Sequence, residues 1–306
     1  MAFLCVIQLL FGSLAQAESR SAHAAPLPQQ SGEYSLLPHL DPKKLSLRSE
    51  MALVIDSIGG EVLFEKNKNE RQPIASITKL MTAMVILDAG LPDNEVIQIT
   101  QADRDRLRSS RSKLNYGVKM TRSDLLKITL AGSDNRAAAA LGRTFPGGHN
   151  AIVSAMNKKA RDIGLKNTVF KDVSGLGSGN LSTAADLAVL VKAAYRYPQI
   201  RETSTLKRDF VTDLRKGRKV EFVNTNRLVR SEQWDIGLSK TGYIADSGYC
   251  LVMRTEIADR PVIVVLLNSW GTQSKYGDSN RIRKWLDRAA QKARKALLQT
   301  SIKNHS

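Results

Sequence analysis

Cysteine, histidine and aromatic residues are scarce in this chain, and each scarcity narrows the kind of protein that it can be. Two of the 306 residues are cysteines, four are histidines, and aromatic residues make up 6%. The sequence contains neither a His-Glu-x-x-His pattern nor a Cys-x-x-Cys pair, so a zinc site is not indicated and no cofactor is expected. None of the histidines lies in an apolar, periodic segment near a serine, which argues against a Ser-His-Asp triad.

Acidic residues are few relative to basic ones, and this imbalance bears on the partner of the protein. Lysine and arginine number 46 against 29 aspartate and glutamate residues, which gives a formal net charge of +17 and a pI of about 10. A charge of this size favours an anionic partner such as nucleic acid, lipid head groups or an acidic polymer. The basic residues are spread along the chain and are not interleaved with aromatic residues, so nucleic-acid binding is not predicted.

The first 17 residues contain no charged side chain. They are apolar from Phe3 to Leu14 and end in Ala15-Gln16-Ala17, a cleavage pattern with a small residue on each side of a variable one. A stretch of this length is too short to span a bilayer. Residues 1–17 are therefore interpreted as a secretory signal peptide, and the mature protein is expected outside the cytoplasm.

Changes in composition divide the rest of the chain into three parts. Residues 18–46 are polar, contain proline and show no periodicity, which is typical of a linker. Residues 47–290 have the apolar patterns of a folded domain, and residues 291–306 form a basic tail. Removal of the signal peptide would leave Cys250 as the remaining cysteine, which excludes an intramolecular disulfide and favours a packed, apolar role for this side chain.

Within the domain, apolar periodicity predicts strands near both ends and helices between them. The predicted strands are 52–56, 61–66, a hairpin over 210–223, 236–243, 248–256 and 261–268. A mainly helical lobe is predicted over about 101–197, and a closing helix over Ser279–Leu298. Strands from distant parts of a chain that form one sheet, with helices packed on it, define an α+β fold.

Three short fragments lie in one order along the chain. They are Ser76-Ile77-Thr78-Lys79, Ser133-Asp134-Asn135 and Lys240-Thr241-Gly242. Each pattern is weakly specific alone, since Ser-x-x-Lys also occurs at Ser110 and Ser204, in polar segments that are interpreted as solvated surface. A second Ser-x-Asn, at Ser178, lies in a glycine-rich turn. The ordered triple, however, is the motif set of penicillin-binding proteins and class A β-lactamases.

Ser76 and Lys79 have the spacing of a nucleophile and its base. A serine hydroxyl needs a base near neutral pH, and residues three apart on a helix share one face, with Cβ atoms about 5–6 Å apart. Lys79 acts as a base only when neutral, so its pKa must be lowered by burial and by a second cation, for which Lys240 is the candidate. The backbone N–H groups of Ser76 and Tyr243 are expected to form an oxyanion hole, in which each donor contributes roughly 2.7–4 kcal/mol.

The other two fragments have the groups that a peptide substrate requires. Ser133 can pass a proton to the leaving amine, and the amide of Asn135 can hold a substrate carbonyl. Lys240 and Thr241 can bind a substrate carboxylate. Gly242 lacks a side chain, so a substrate backbone can lie against this strand as an added edge.

With these motifs, the chain from about Ala52 to Leu286 resembles the low-molecular-mass penicillin-binding proteins, and most closely the D-alanyl-D-alanine endopeptidases of Gram-negative bacteria. The segments that carry the resemblance are 71–84, 134–138, 224–229, 239–243 and 249–255. The resemblance implies a five-stranded antiparallel sheet flanked by helices, a helical lobe, and a site between them. It implies that Ser76 is the acylated nucleophile, with Lys79 as its base, and it places the other two fragments around them.

The resemblance also implies a substrate and a location. The expected reaction is the hydrolysis of D-Ala to meso-diaminopimelate cross-links in peptidoglycan, in the periplasm, with β-lactams as covalent inhibitors. The peptide stems of this polymer are acidic, which fits the positive charge of the chain. The basic tail contributes to that charge and either contacts an anionic membrane surface or is a solvated helix end that the helix dipole favours.

Three other functions remain open at this stage. D-alanyl-D-alanine carboxypeptidases share all three motifs, although many of them carry an extra C-terminal β domain for which this sequence has no room. Class A β-lactamases add Glu-x-x-Leu-Asn between the second and third motifs, and no such pattern occurs between Asn135 and Lys240. A non-catalytic protein that binds anionic wall polymers would show decayed motifs, whereas these motifs are intact.

Overall fold

The structure, a computed structural model, describes residues 36–304 and the side chains of residues 36–299. The predicted signal peptide and residues 18–35 of the predicted linker lie outside this range. The strands are β1 (Ser49–Asp56), β2 (Val62–Lys66), β3 (Gln72–Pro73), β4 (Val96–Gln98), β5 (Lys119–Thr121), β6 (Leu181–Ser182), β7 (Arg208–Asp213), β8 (Arg218–Val223), β9 (Asp235–Ile244), β10 (Gly248–Ile257) and β11 (Arg260–Ser269). The α-helices are α1 (Thr78–Asp88), α2 (Arg122–Leu130), α3 (Asn135–Arg143), α4 (Gly148–Asp162), α5 (Ala184–Ala194), α6 (Pro198–Ser204) and α7 (Ser274–Asn304).

Five strands form one antiparallel sheet in the order β2-β1-β11-β10-β9, which confirms the predicted α+β fold. The two ends of the domain pair directly, since Ala52 of β1 lies opposite Leu266 of β11. Strand β11 is the central strand, and both of its faces are covered. Its apolar run Val262–Leu267 is accordingly fully buried. Strand β9, which carries Lys240-Thr241-Gly242, is at the edge of the sheet and leaves one side of its backbone open to the helical lobe.

Hydrophobic cores cover both faces of the sheet. One core joins β1, β10 and β11 to the helical lobe: α5 packs directly on these strands, and α1 packs on α5. The other lies between the sheet and α7, where Ile282 and Leu286 are fully buried. Helix α1 is buried from Thr78 to Ile86, so its first turn carries Lys79 into the interior of the protein.

The C-terminal helix and the segment before β1 differ from the sequence-based expectation. Helix α7 begins at Ser274 rather than Ser279 and includes most of the predicted basic tail. Its polar first turn lacks an apolar pattern, but the carboxylate of Asp278 accepts hydrogen bonds from the backbone N–H groups of Arg48 and Ser49. These contacts explain why the helix starts where periodicity gives no signal.

The described part of the predicted linker, 36–46, contains two short 3-10 helices and packs on α7. Leu36 and Leu45 are buried in the core beneath that helix. The indole N–H of Trp285 donates to the carbonyl oxygen of Asp41 at 3.0 Å. This segment is therefore part of the folded domain. Within residues 36–304, no helix combines the length and the apolar run that crossing a bilayer requires.

Candidate active site

The three sequence fragments meet where strand β9 faces the helical lobe. The first lies in a short 3-10 helix, Ala75–Ile77, that continues into α1. The second connects α2 to α3, and the carboxylate of Asp134 caps the N-terminus of α3. The third is the part of β9 that packs on the 3-10 helix. A loop of the helical lobe, residues 172–177, contacts the first fragment as well.

The backbone at Ser76 is held in a tight turn. Ala75 has a φ of +47°, a left-handed conformation that costs a residue with a Cβ atom roughly 1–2 kcal/mol. Two glycines allow the neighbouring segments to approach. A Cβ atom on Gly175 would lie 1.8 Å from the carbonyl oxygen of Ala75, and one on Gly242 would lie 3.1 Å from the backbone nitrogen of Ser76. The 172–177 loop and β9 therefore come closer to this turn than residues with larger side chains permit.

Lys79 lies at the centre of the site, and its side chain is fully buried. Its Nζ atom is 2.8 Å from Ser76 Oγ, 2.6 Å from Asn135 Oδ1 and 2.7 Å from the carbonyl oxygen of Ser174. A neutral amine has two hydrogens and one lone pair, so it can donate to the two carbonyl oxygens and accept from the Ser76 hydroxyl. The three contacts thus match those of a neutral lysine that is placed to take the serine proton.

Burial lowers the pKa of Lys79 from its ordinary value to about 7. The carboxylates of Asp172, Asp134 and Asp105 act in the opposite direction and keep the pKa from falling further. The expected second cation does not account for this shift, because burial alone lowers the pKa of Lys79 and the repulsion between the two amines lowers the pKa of Lys240 instead. Burial, and then the charges of Lys79 and Lys275, hold the pKa of Lys240 well below its usual range.

Ser133 and Lys240 form the other half of the site. Lys240 is 1% exposed, and its Nζ atom donates to Ser133 Oγ at 2.7 Å and to the carbonyl oxygen of Thr241 at 3.0 Å. Ser133 has a φ of +56°, a second left-handed residue at the site. Asp134 stabilises this turn, because its carboxylate accepts hydrogen bonds from the side chain of Ser112 and the backbone N–H of Ala137.

Three of the predicted site residues, Ser76, Asn135 and Tyr243, line a cavity beside these contacts. Its volume is about 310 Å³, and it is lined by Ser76, Arg108, Ser110, Asn135, Gly175, Leu176, Tyr243, Ile244 and Ala245. Tyr243 is 54% exposed. Thr241 Oγ1 is 2.8 Å from the hydroxyl of Thr225, a residue of the segment between β8 and β9. The structure thus brings all eight predicted site residues together.

Two residues of this cavity were missed by the sequence analysis. The prediction that Ser110 is solvated surface is wrong, since its hydroxyl accepts a hydrogen bond from Asn135 Nδ2 at 2.9 Å. Arg108 crosses the mouth of the cavity: its Nε atom donates to the carbonyl oxygen of Leu176 at 2.7 Å, and its guanidinium pairs with Asp246. Both residues lie in a polar segment without periodicity, so only the tertiary fold reveals their place.

The prediction that Ser204, in the third copy of Ser-x-x-Lys, is solvated surface is also wrong. Ser204 is 1% exposed, and its hydroxyl accepts a hydrogen bond from the backbone N–H of Ser239, just before the third fragment. The second copy of Ser-x-Asn has a structural role. Asn180 is fully buried and joins the 172–177 loop to α1 through hydrogen bonds to Asp172 and Thr78.

Comparisons with known proteins agree with this fold. Residues 39–271 match the D-alanyl-D-alanine carboxypeptidase family. The chain is similar to the D-alanyl-D-alanine endopeptidase of Pseudomonas aeruginosa, with 42% identity over 80% of this chain and 79% of that protein. It is similar to the D-alanyl-D-alanine endopeptidase of Escherichia coli, with 38% identity over 79% of this chain and 78% of that protein. Among solved structures, it is similar to the DD-transpeptidase of a Streptomyces strain, with a TM-score of 0.73, 26% identity and coverage of 79% of this chain and 97% of the other.

The sheet, the helical lobe and these matches define a serine peptidase of the penicillin-binding class. The chain belongs to the D-alanyl-D-alanine carboxypeptidase family, whose match spans well over half of its length. It is a serine-type D-Ala-D-Ala peptidase, which confirms the class of enzyme that the sequence predicts.

Proposed function

We propose that this enzyme is a DD-endopeptidase that hydrolyses D-Ala to meso-diaminopimelate cross-links of peptidoglycan through an acyl-enzyme on Ser76. The main support is the contact between Lys79 Nζ and Ser76 Oγ inside a buried site, together with a lysine pKa near 7. At neutral pH a large share of Lys79 is then uncharged and able to act as a base. The similarity to D-alanyl-D-alanine endopeptidases supports the choice of substrate.

In the acylation step, Lys79 takes the hydroxyl proton of Ser76 as Ser76 Oγ attacks the carbonyl carbon of D-alanine. The oxygen of the tetrahedral intermediate carries a negative charge, which the backbone N–H groups of Ser76 and Tyr243 stabilise. The peptide C–N bond then breaks, and the proton that Lys79 took from Ser76 is passed through Ser133 to the nitrogen of the leaving amine. The products of this step are an ester on Ser76 and a free diaminopimelate amine. Water hydrolyses the ester and restores the serine.

Substrate binding uses both sides of the cavity. Asn135 Nδ2 carries two hydrogens and donates one to Ser110, so the other can hold a substrate carbonyl. Lys240 and Thr241 bind a substrate carboxylate, and the hydrogen bond from Lys240 Nζ to Ser133 Oγ places that carboxylate beside the second fragment. The peptide backbone lies along the open edge of β9 beside Tyr243, which lines the cavity, whereas the space next to Gly242 is taken by the turn at Ser76.

A labelling experiment tests the acyl-enzyme. A fluorescent penicillin should label the wild-type protein covalently, and the Ser76→Ala variant should stay unlabelled at the same concentration. The ester should be hydrolysed slowly, because the β-lactamase glutamate motif is absent between the second and third fragments. Rapid turnover of penicillin would instead identify a β-lactamase, and equal labelling of both variants would exclude Ser76 as the nucleophile.

A carboxypeptidase is the second candidate, and the description of the matching family favours it. Digestion of purified cross-linked muropeptide dimers separates the two activities. An endopeptidase converts dimers to monomers without releasing free D-alanine. Free D-alanine as the main product, with the dimers left intact, would show that the enzyme removes the terminal residue instead.

We further propose that the enzyme works in the periplasm and contacts the membrane through α7. The signal-peptide pattern supports export. A second cavity of about 590 Å³ lies between α7 and the segment before β1, and the basic side chains at its edge are those of Lys44, Arg281, Lys284, Arg288, Lys292 and Lys295. Trp285 and Leu45 form part of its apolar floor. A basic helix face of this kind suits an anionic lipid surface.

A further inference from the structure

One tryptophan of the described chain is almost fully exposed. Trp234 and Trp285 are each 8% exposed, as is usual for a residue of this size, whereas Trp270 is 87% exposed. Aromatic residues make up 6% of the sequence, so an indole left in water is conspicuous in this protein. Exposed aromatic side chains with one apolar face and a polar N–H are typical of binding surfaces.

Trp270 leaves the sheet next to two further aromatic residues. Strand β11 ends at Ser269, which pairs with Tyr249 of β10, and Tyr249 pairs in turn with Tyr243 of β9. The rings of Tyr243 and Tyr249 are stacked, with centroids 4.2 Å apart and planes 23° from parallel. Trp270 follows Ser269 directly, so these three aromatic residues lie at the same end of three adjacent strands.

This group of residues, Tyr243, Tyr249 and Trp270, is called the aromatic platform below. It is continuous with the active site, because Tyr243 lines the cavity that contains Ser76. Lys275 makes a cation–π contact with one member of the platform, since its Nζ atom lies 4.9 Å from the centre of the Tyr249 ring. A molecule bound in the cavity can therefore extend onto the platform without leaving the protein surface.

The chemistry of the platform suits sugar rings. One face of a hexose ring presents C–H groups, which pack on an aromatic face while the hydroxyl and acetamido groups stay hydrated. In peptidoglycan each peptide stem is attached to an N-acetylated sugar. An enzyme that cuts between two stems therefore meets glycan strands a short distance from the scissile bond.

We propose that the aromatic platform is a subsite for the N-acetylated hexose rings of a glycan strand. This inference rests on the proposed peptidoglycan substrate and names a part of it that the catalytic fragments do not contact. Its consequence is a preference for cross-links that are still attached to glycan over the same cross-links in free peptides. The preference depends on Trp270, which lies outside the cavity and contacts none of the reacting atoms.

The test compares two substrates in the wild type and in Trp270→Ala. One is intact peptidoglycan sacculi, and the other is a cross-linked peptide dimer without sugars. The ratio of kcat/KM for sacculi to kcat/KM for the dimer should fall roughly tenfold in the variant, which corresponds to about 1.4 kcal/mol of lost binding. Trp270→Phe should retain part of the preference. Leu298→Ala, which alters another exposed apolar residue on α7, is the matched control and should leave the ratio unchanged.

A second measurement separates this proposal from the proposed reaction. Co-sedimentation with sacculi is measured for Ser76→Ala and for the double variant that also carries Trp270→Ala. Weaker binding of the double variant supports the subsite, even if the wild type proves to cleave a different bond. Equal binding of the two variants, or an unchanged substrate ratio in Trp270→Ala, would overturn the subsite while leaving the endopeptidase reaction intact.

Discussion

At the scale of single residues, the site depends on Lys79, whose pKa is low enough for the side chain to be partly neutral near pH 7. The sequence predicts this need, because a serine three residues before a lysine on a helix is useful only when the lysine is neutral. It predicts burial as one cause, and the apolar surroundings of α1 supply it. It does not predict the carboxylates of Asp172 and Asp105, because these reach the site from loops whose path depends on the whole fold.

The rate of acylation should follow the deprotonation of Lys79. With a folded-state pKa of about 7, the base form increases as the pH rises through that value and is nearly complete at pH 8. The acylation rate with saturating fluorescent penicillin should therefore be about one tenth of its plateau at pH 6. A stopped-flow profile between pH 5 and 8.5 measures this rise.

The variant Asp172→Asn tests whether the pKa of Lys79 sets this pH profile. The negative charge of Asp172 raises the pKa of Lys79, so its removal should move the midpoint of the rising limb to lower pH. Asparagine keeps an oxygen for the hydrogen bonds that the backbone N–H groups of Ser174 and Gly175 donate. A profile that is flat across neutrality, or a midpoint that moves to higher pH in this variant, would show that another group controls acylation.

At the scale of elements, regular strands and helices are predictable from sequence, and the loops that shape the site are not. The alternation of β9 and the apolar run of β11 predict those strands to within two residues. The 172–177 loop carries glycines and polar residues, which predict a turn but give no indication that it packs on Ser76. The position of Ser110 in the site is not predictable for the same reason, since its polar neighbours in sequence are those of an ordinary surface segment.

Gly175→Ala should disrupt the site through a contact between two elements. The new methyl group would meet the carbonyl oxygen of Ala75, 1.8 Å from the ideal Cβ position, so the loop or the Ser76 turn must move. Overpacking of this kind typically costs roughly 1–3 kcal/mol of unfolding free energy, to which a left-handed alanine adds about 1–2 kcal/mol. We expect a lower melting temperature and a loss of penicillin acylation of at least tenfold.

Gly60→Ala separates the steric effect from the backbone effect. Gly60 has a φ of +74°, close to the +78° of Gly175, but an added Cβ atom there would have nothing within 4 Å. This variant should show the small loss of stability that a left-handed alanine causes and should acylate at the wild-type rate. Equal effects of the two substitutions would mean that backbone conformation, and not the approach of the loop to Ser76, explains the requirement for glycine.

At the scale of the whole molecule, charge is distributed unevenly around α7. Arg281 pairs with Asp278, and Arg294 pairs with Asp259. Within the described chain, the salt bridges of α7 involve Arg281, Arg283 and Arg294, and none includes Lys284, Arg288 or Lys292. These three side chains recur every four residues, so they form one face of the helix beside the larger cavity. Composition predicts the excess of positive charge, but only the folded helix shows that part of it forms a surface.

This basic face should bind anionic vesicles. Each basic residue near such a surface contributes about 1 kcal/mol, so reversing Lys284, Arg288 and Lys292 to glutamate should weaken binding by more than a hundredfold. Co-sedimentation with vesicles that contain phosphatidylglycerol measures the effect. The control reverses the exposed residues Lys166, Lys192 and Lys216, which lowers the net charge by the same amount but leaves α7 intact.

The α7 variant and the control variant together distinguish binding through one helix face from attraction by the net charge of the protein. If net charge alone attracts the protein, both variants should lose the same affinity for vesicles, and added salt should weaken both alike. If the α7 face makes the contact, the control should keep most of its affinity, because its reversed charges lie away from the bilayer. Penicillin acylation of both variants should match the wild type, since neither α7 nor any of the three control lysines lines the cavity around Ser76.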